Sequence, residues 1–294
     1  MCLLTEQNKE RLRLLHETLA PTRLTRIVDV GASPVNPAPY EMLLNEGFAE
    51  VIGFEPQPEP FADLQSNPVM NRTVLPYAVG DGKNGTLHVC AASGFTSLLE
   101  PNTDFWNYAG RWRRVMRVLE RLPIETKRLD DIQEIDAFDM LKIDIQGGEV
   151  GVFENGLKKI ANALVVYTEV AYIPIYRDQP LLDAQMRTLR PLDFALHKLV
   201  SMTKIMLATP YSKHLRPRHH RNQPIDGDAV FIRYLLELDK HTEEDLKHLA
   251  ILADSVFHSY DLVLHILAAR VEAGTTAPEA VSAYISMLPA TVPQ

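Results

Sequence analysis

Arg26-Ile-Val-Asp-Val30 is a short apolar run that stops at Gly31, and Val51-Ile-Gly-Phe-Glu55 is a second that stops as abruptly at an acid. Between them lie a proline-rich turn and a helical stretch, Tyr40 to Gly47. Short β-branched runs alternating with helical pattern read as βαβ units, and such units imply a parallel sheet. The alternation continues outward. Glu59 to Gln65 is helix-like and Thr73 to Tyr77 extended; Met140-Leu-Lys-Ile-Asp144 reads as a buried strand, followed by a Gly147-Gly148 turn and a helix from Glu149 to about Leu157. A strand over Leu164 to Val170, a helix over Leu181 to Leu189 and strands over Phe194 to Leu199 and Asp228 to Tyr234 complete the series. The middle is less regular. Asp81-Gly-Lys-Asn-Gly85 is turn chemistry, Thr86 to Cys90 alternates like an exposed strand, and Asn102 to Leu122 reads as a helix running into a strand.

Helices flank this α/β unit. Leu12, Leu15 and Leu19 give Gln7 to Leu19 an apolar face. Past the last strand, Leu246, Leu249, Leu252, Val256 and Leu262 to Leu267 form a long stripe over Glu243 to Val271, and Ala280 to Leu288 add a second helical pattern. The expected division is an N-terminal helical segment (1–24), an α/β domain (25–238) and a C-terminal helical extension (239–294). A stripe this long must be covered, since large exposed apolar patches are rare on soluble monomers. Two covers are open: the chain's own sheet with the N-terminal helix, or the same stripe of a second copy in a homodimer.

Composition narrows the class. The chain has 294 residues, 46% hydrophobic and 23% charged, as an ordinary globular protein does. A net charge of -8 argues against sequence-independent nucleic-acid binding, although it leaves room for a local basic patch. Two cysteines make no disulfide framework. No apolar stretch approaches the ~18 residues of a membrane span, and the first ten residues lack a signal-peptide core. The expected compartment is the cytoplasm.

An open α/β sheet binds its ligand outside the carboxyl ends of its strands. Gly31 lets a turn lie close against a ligand, and Asp29 offers a carboxylate beside it. Glu55 stands where an acid about 20 residues past the glycine turn accepts ribose hydroxyls. The rest of a dinucleotide site is missing, because Gly31-Ala-Ser-Pro-Val-Asn-Pro37 has one glycine where G-x-G-x-x-G is needed, and no Walker lysine follows. That speaks against an NAD-dependent oxidoreductase. The pattern suits an adenosyl ribose without a pyrophosphate, and S-adenosylmethionine fits, its cationic sulfonium tolerating nearby carboxylates.

Asp29-Val-Gly-Ala32, Gly53-Phe-Glu-Pro56, Ala78-Val-Gly-Asp81, Thr96-Ser-Leu98, Leu129-Asp130, Leu141-Lys-Ile-Asp-Ile-Gln-Gly147 and Asp228-Ala-Val-Phe231 occur in that order. Over residues 25 to 235 the chain resembles the FkbM family of class I methyltransferases. The resemblance implies a Rossmann-like α/β fold with a seven-stranded, mostly parallel sheet, a reversed last strand and helices on both faces. It implies S-adenosylmethionine as methyl donor and an O-methylated product. Asp29, Gly31, Ala32, Glu55, Pro56, Ala78, Val79 and Asp144 become the expected donor-binding residues, and Thr96 and Ser97 a wall of the cleft toward the substrate. Two departures stand out: Ser33-Pro34-Val35 replaces the family's usual asparagine and further glycine, and Gln146 replaces its usual glutamate.

Methyl transfer to a hydroxyl requires alignment of both partners and removal of the acceptor proton. Asp144, ending the central strand, is the first candidate for the base; alternatively it caps the next helix or orients the donor's amino group. Lys142 alternates with Asp144 and either holds it ionised, contacts an anionic acceptor, or is a salt-bridged strand lysine. Glu149, in a first helical turn, suits capping. Glu169, ending the neighbouring strand, is a further candidate on the substrate side. Too few oxygens accompany it and Asp144 for a divalent cation, so no metal is expected. The arginines from Arg111 to Arg121, beside Phe105, Trp106, Tyr108 and Trp112, either draw an anionic acceptor or are a solvated face over a lid's own small core. His219-His220 reads as solvated loop. The expected acceptor is a sugar, glycan or other small hydroxylated metabolite; the alternative function is a donor-binding module without turnover.

Overall fold

The computed structural model describes residues 6–32 and 37–289. Its strands are β1 (Thr25–Val30), β2 (Ala49–Phe54), β3 (Arg72–Leu75), β4 (Ala78–Gly80), β5 (Asn84–Cys90), β6 (Val118–Arg128), β7 (Met140–Ile143), β8 (Val165–Ala171), β9 (Phe194–Leu199), β10 (Thr203–Ile205) and β11 (Gln223–Arg233). Its helices are α1 (Glu6–Leu19), α2 (Glu41–Asn45), α3 (Pro58–Ser66), α4 (Thr103–Ala109), α5 (Glu149–Glu154), α6 (Leu157–Ile160), α7 (Leu182–Leu189), α8 (Glu243–Ser255), α9 (Tyr260–Glu272) and α10 (Pro278–Ser286).

The main sheet runs β3-β2-β1-β7-β8-β11, with β9 and β10 both on the far side of β11. Its first five strands are mutually parallel, and β11 lies antiparallel to β8. The expected seven-stranded sheet is therefore seven positions wide but eight strands in number. The seventh position is shared: β9 pairs with residues 229–233 of β11 and β10 with residues 223–226. A second sheet, β4-β6-β5, stands apart. It was not foreseen as a sheet because β6 is mostly exposed and carries no clean alternation to betray it.

Period-two alternation divides β1 between two layers, Ile27 on one face and Val28 and Val30 on the other. On the first face α1, α2, α8 and α9 contribute Leu12, Leu43, Leu249 and Leu267 to one apolar cluster; on the second α5 and α7 contribute Phe153 and Leu189. The C-terminal stripe is thus covered by the chain's own sheet and N-terminal helix, the first of the two covers open from the sequence. That stripe is also two helices rather than one, because the chain turns at 256–259 with His258 at φ +51°. A capping box between Thr242 and Asp245 starts α8. Arg11 of α1 and Asp254 of α8 form a fully buried ion pair at 2.7 Å, and Tyr284 of α10 donates to the same carboxylate oxygen. Among the described residues no helix is long and apolar enough to cross a membrane.

Candidate functional site

A cleft of about 670 Å³ opens at the carboxyl ends of β1, β2 and β7. This is where the strand order reverses direction from β1, the switch point at which α/β sheets hold ligands. Ten of the sequence-predicted residues line it: Asp29, Gly31, Glu55, Pro56, Ala78, Val79, Thr96, Ser97, Lys142 and Asp144. Ala32 and Glu169 do not. Ala32 instead packs its Cβ against Gly53 and donates its N–H to the Phe54 carbonyl at 3.0 Å, tying the turn to β2. The departure at Ser33-Pro34-Val35, with Asn36, lies outside the described residues.

Gly31 has φ +89°, and a Cβ there would stand 2.1 Å from the Asp144 carbonyl oxygen. Glycine is required first by the fold, which crosses two backbones at this point, and only then by any ligand. Asp29 is 2% exposed and is held from two sides. Tyr40 donates its hydroxyl to Oδ2 at 2.5 Å, and the Lys142 ammonium lies 3.0 Å from Oδ1. Of the roles open to Lys142, the ion pair is the one observed. Register explains it: Lys142 sits directly opposite Asp29 across the β1–β7 ladder. Burial alone would lower the Lys142 ammonium, but Asp29, with Asp144 beyond it, raises it above its ordinary value. Lys142 also donates to the Gly31 carbonyl at 3.2 Å, so this pair braces the floor beneath the turn.

Glu55 follows the last residue of β2 and is 3% exposed. Its Oε1 accepts the Gln57 N–H at 2.8 Å, where Gln57 is the residue just before α3 and Pro58 at its first position sets the helical φ. Burial pushes the carboxyl up, and the Gln57 bonds oppose this. A buried carboxylate with one oxygen held and the cleft before it is a ready acceptor for paired hydroxyls.

Asp144 is exposed to the cleft. Its Oδ1 accepts the Gln146 side-chain amide at 2.8 Å, and the same amide donates to Glu169 Oε1 at 3.2 Å. The Tyr176 hydroxyl donates in turn to Gln146 Oε1 at 2.9 Å. Gln146 therefore bridges two carboxylates with a neutral donor, and holds a left-handed backbone at φ +60° to do so. Burial, then Asp144 and Glu149, push Glu169 well above the usual carboxylate range. Glu149 braces the loop ahead of α5 instead of capping the helix: its Oε1 accepts the N–H groups of Ile145 and Gly147, both at 3.1 Å.

The loop over 93–98 forms the opposite wall. Ser97 and Thr96 line the cleft, but their hydroxyls are engaged in holding the loop. Ser97 donates to the Gln146 carbonyl at 2.7 Å, and Thr96 accepts the Cys90 N–H at 3.2 Å. Phe105 and Trp112 stack at 5.4 Å within a small core with Met116 and Tyr176, so this pair belongs to a separate core and does not line the cleft. Tyr167, Gln57 and Asp228 also line the cleft and were not among the candidates. The antiparallel return of β11 places Asp228 opposite Glu169; the Asp228-Ala-Val-Phe231 motif was the available signal.

A family described as the methyltransferase FkbM domain matches residues 29–196, more than half of the chain. A 2-O-methyltransferase named NoeI from Sinorhizobium fredii is 25% identical over 174 residues, which are 54% of this chain and 66% of that protein, just under two thirds. Among solved structures, the precorrin-6y C5,15-methyltransferase of Geobacter metallireducens is similar at TM-score 0.37 and 9% identity, covering 79% of this chain and 92% of that one. The magnesium protoporphyrin IX methyltransferase of Synechocystis, solved with bound S-adenosylmethionine, is similar at TM-score 0.32 and 10% identity, covering 77% and 80%.

Proposed function

This chain belongs to the FkbM methyltransferase family, and we propose that it moves a methyl group from S-adenosylmethionine to a hydroxyl oxygen of a sugar or other small metabolite. The observation that carries the donor assignment is Glu55, buried just past the end of β2 with its free acceptor capacity turned to the cleft, beside a turn whose sequence has one glycine in place of G-x-G-x-x-G. The residues present fit a cationic nucleoside. Glu55 would hold the ribose, Ala78 and Val79 would border the base, and the acids Asp144 and Asp228 favour positive charge in the cleft. When bound, S-adenosylmethionine supplies an electrophilic methyl group on a sulfonium.

Asp144 takes the proton of the acceptor hydroxyl as its oxygen is methylated. Gln146 fixes the orientation of that carboxylate, and Lys142 with Asp29 keeps the floor rigid. The name 2-O-methyltransferase carried by the Sinorhizobium fredii relative supports an oxygen acceptor. Titration calorimetry tests the donor site: Glu55→Ala loses a charge-assisted bond, about 2–3 kcal/mol or roughly 30- to 150-fold in affinity. An unchanged dissociation constant removes the ribose assignment. Asp144→Asn keeps the shape and loses the basicity, so turnover falls by about 10²-fold or more while donor affinity stays. Collapse of donor affinity with surviving turnover would instead make Asp144 a binding residue.

A further inference from the structure

The charge of this molecule is unevenly placed. Residues 103–117 and 199–223 together carry nine of the 30 Lys and Arg side chains and one acid, Asp104, a net charge of about +8 on a chain whose total is -8. Arg111, Arg113, Arg114 and Arg117 are exposed. So are Lys204, Lys213, Arg216, Arg218 and Arg221, and none of the nine pairs with a carboxylate among the described residues.

The two segments form one cap. The Ala208 N–H donates to the Tyr108 carbonyl at 3.1 Å, and the Tyr108 hydroxyl donates to Gln223 at 3.0 Å. Phe105 and Met116 from the first segment share a core with Ile205 from the second. The cap touches the elements that support the cleft without lining it. Its strand β10 pairs with the half of β11 that leads to Asp228, and Tyr176 of the same core reaches Gln146.

A second observation coincides with the charge. Ten large apolar side chains are exposed among the described residues, and five of them lie in this cap or at its first residue: Tyr108, Leu199, Met202, Leu207 and Tyr211. Tyr211 is 70% exposed. Scattered exposed apolar groups need no explanation, but half of them within some 40 residues of the 294, interleaved with unpaired cations, do.

We propose that the cap is a docking surface for an anionic lipid bilayer. Lys and Arg side chains meet lipid phosphates while Tyr and Leu side chains enter the headgroup boundary, the pairing seen wherever a protein lies on a membrane without crossing it. A bilayer touches only this end of the molecule. A long nucleic acid would extend over the remaining surface, which carries a net charge of about -16. Docking does not depend on the methyl-transfer reading.

The test is co-sedimentation of the full chain with vesicles of phosphatidylcholine alone and mixed with phosphatidylglycerol. The chain should pellet with the mixed vesicles only, and added salt should weaken binding. Each of Arg113→Gln, Arg114→Gln, Arg216→Gln and Arg218→Gln should cost roughly fivefold, and the Arg→Lys versions of the same four should restore it. Tyr211→Ser should weaken binding to the mixed vesicles severalfold. No pelleting with mixed vesicles, equal pelleting with neutral ones, or indifference to the four charges would overturn the proposal. Tighter binding to a single-stranded RNA oligonucleotide than to mixed vesicles would overturn it too, and circular dichroism separates a lost surface from a lost fold.

Discussion

At the scale of single residues, the site is governed by how carboxylates are kept apart or bridged. Gln146 donates to both Asp144 and Glu169, so Gln146→Glu would insert a third acceptor where a donor is needed. We expect a loss of about 1–3 kcal/mol at neutral pH that shrinks on acidification, as the crowded carboxyls protonate; urea melts at two pH values measure it. Glu149 is pushed up to about 7, first by burial, with Asp144 adding to the shift and the loop N–H groups opposing it. The folded chain then binds more protons than the unfolded one between the ordinary value of 4.5 and about 7, so this group's stabilisation is present below that window and lost as pH rises through it. Glu149→Gln keeps an acceptor for Ile145 and Gly147 and should flatten the fall of Tm with pH. Gly31→Ala meets both a positive φ and the Asp144 carbonyl, and should lower stability by at least about 2 kcal/mol.

At the scale of elements, the N- and C-terminal helices are joined by charge as well as by apolar contact. Asp254 Oδ1 receives Arg11 Nε and the Tyr284 hydroxyl, so three helices converge on one oxygen. Removing one partner leaves a buried charge without its counterion. Asp254→Ala should therefore cost about 3–5 kcal/mol in urea unfolding, whereas Arg11→Met with Asp254→Leu should recover most of that loss. The edge of the sheet shows a different economy: β9 and β10 divide one position along the eleven residues of β11, and β10 carries the cap outward from there.

At the scale of the whole molecule, the C-terminal extension closes the first face of the sheet. Leu249, Leu252, Val263 and Leu267 are fully buried against it together with α1. A chain truncated after Asp239 should aggregate or lose cooperative unfolding, rather than simply change its sedimentation coefficient. A soluble, cooperatively folding truncation would show that α8 to α10 are dispensable to the core.

The sequence alone was enough for the alternation of strands and helices, the single-glycine turn at Gly31 and the acid at Glu55, because each is written in neighbouring residues through period or turn chemistry. Ten of the twelve proposed site residues line the cleft: Asp29, Gly31, Glu55, Pro56, Lys142 and Asp144 because they lie at or just past the carboxyl ends of β1, β2 and β7, which are locally marked, and Ala78, Val79, Thr96 and Ser97 as the family resemblance implied. Partners are not locally marked. That Lys142 binds Asp29 follows from the register of two strands more than a hundred residues apart. That Asp228 joins the cleft follows from the antiparallel return of β11. Gln146 looked like a carboxylate lost and proved to be a donor between two carboxylates, and the apolar tail that suggested a second copy found its cover in its own chain. Pairing, burial and charge environment depend on groups distant in sequence, and only the folded chain brings those together.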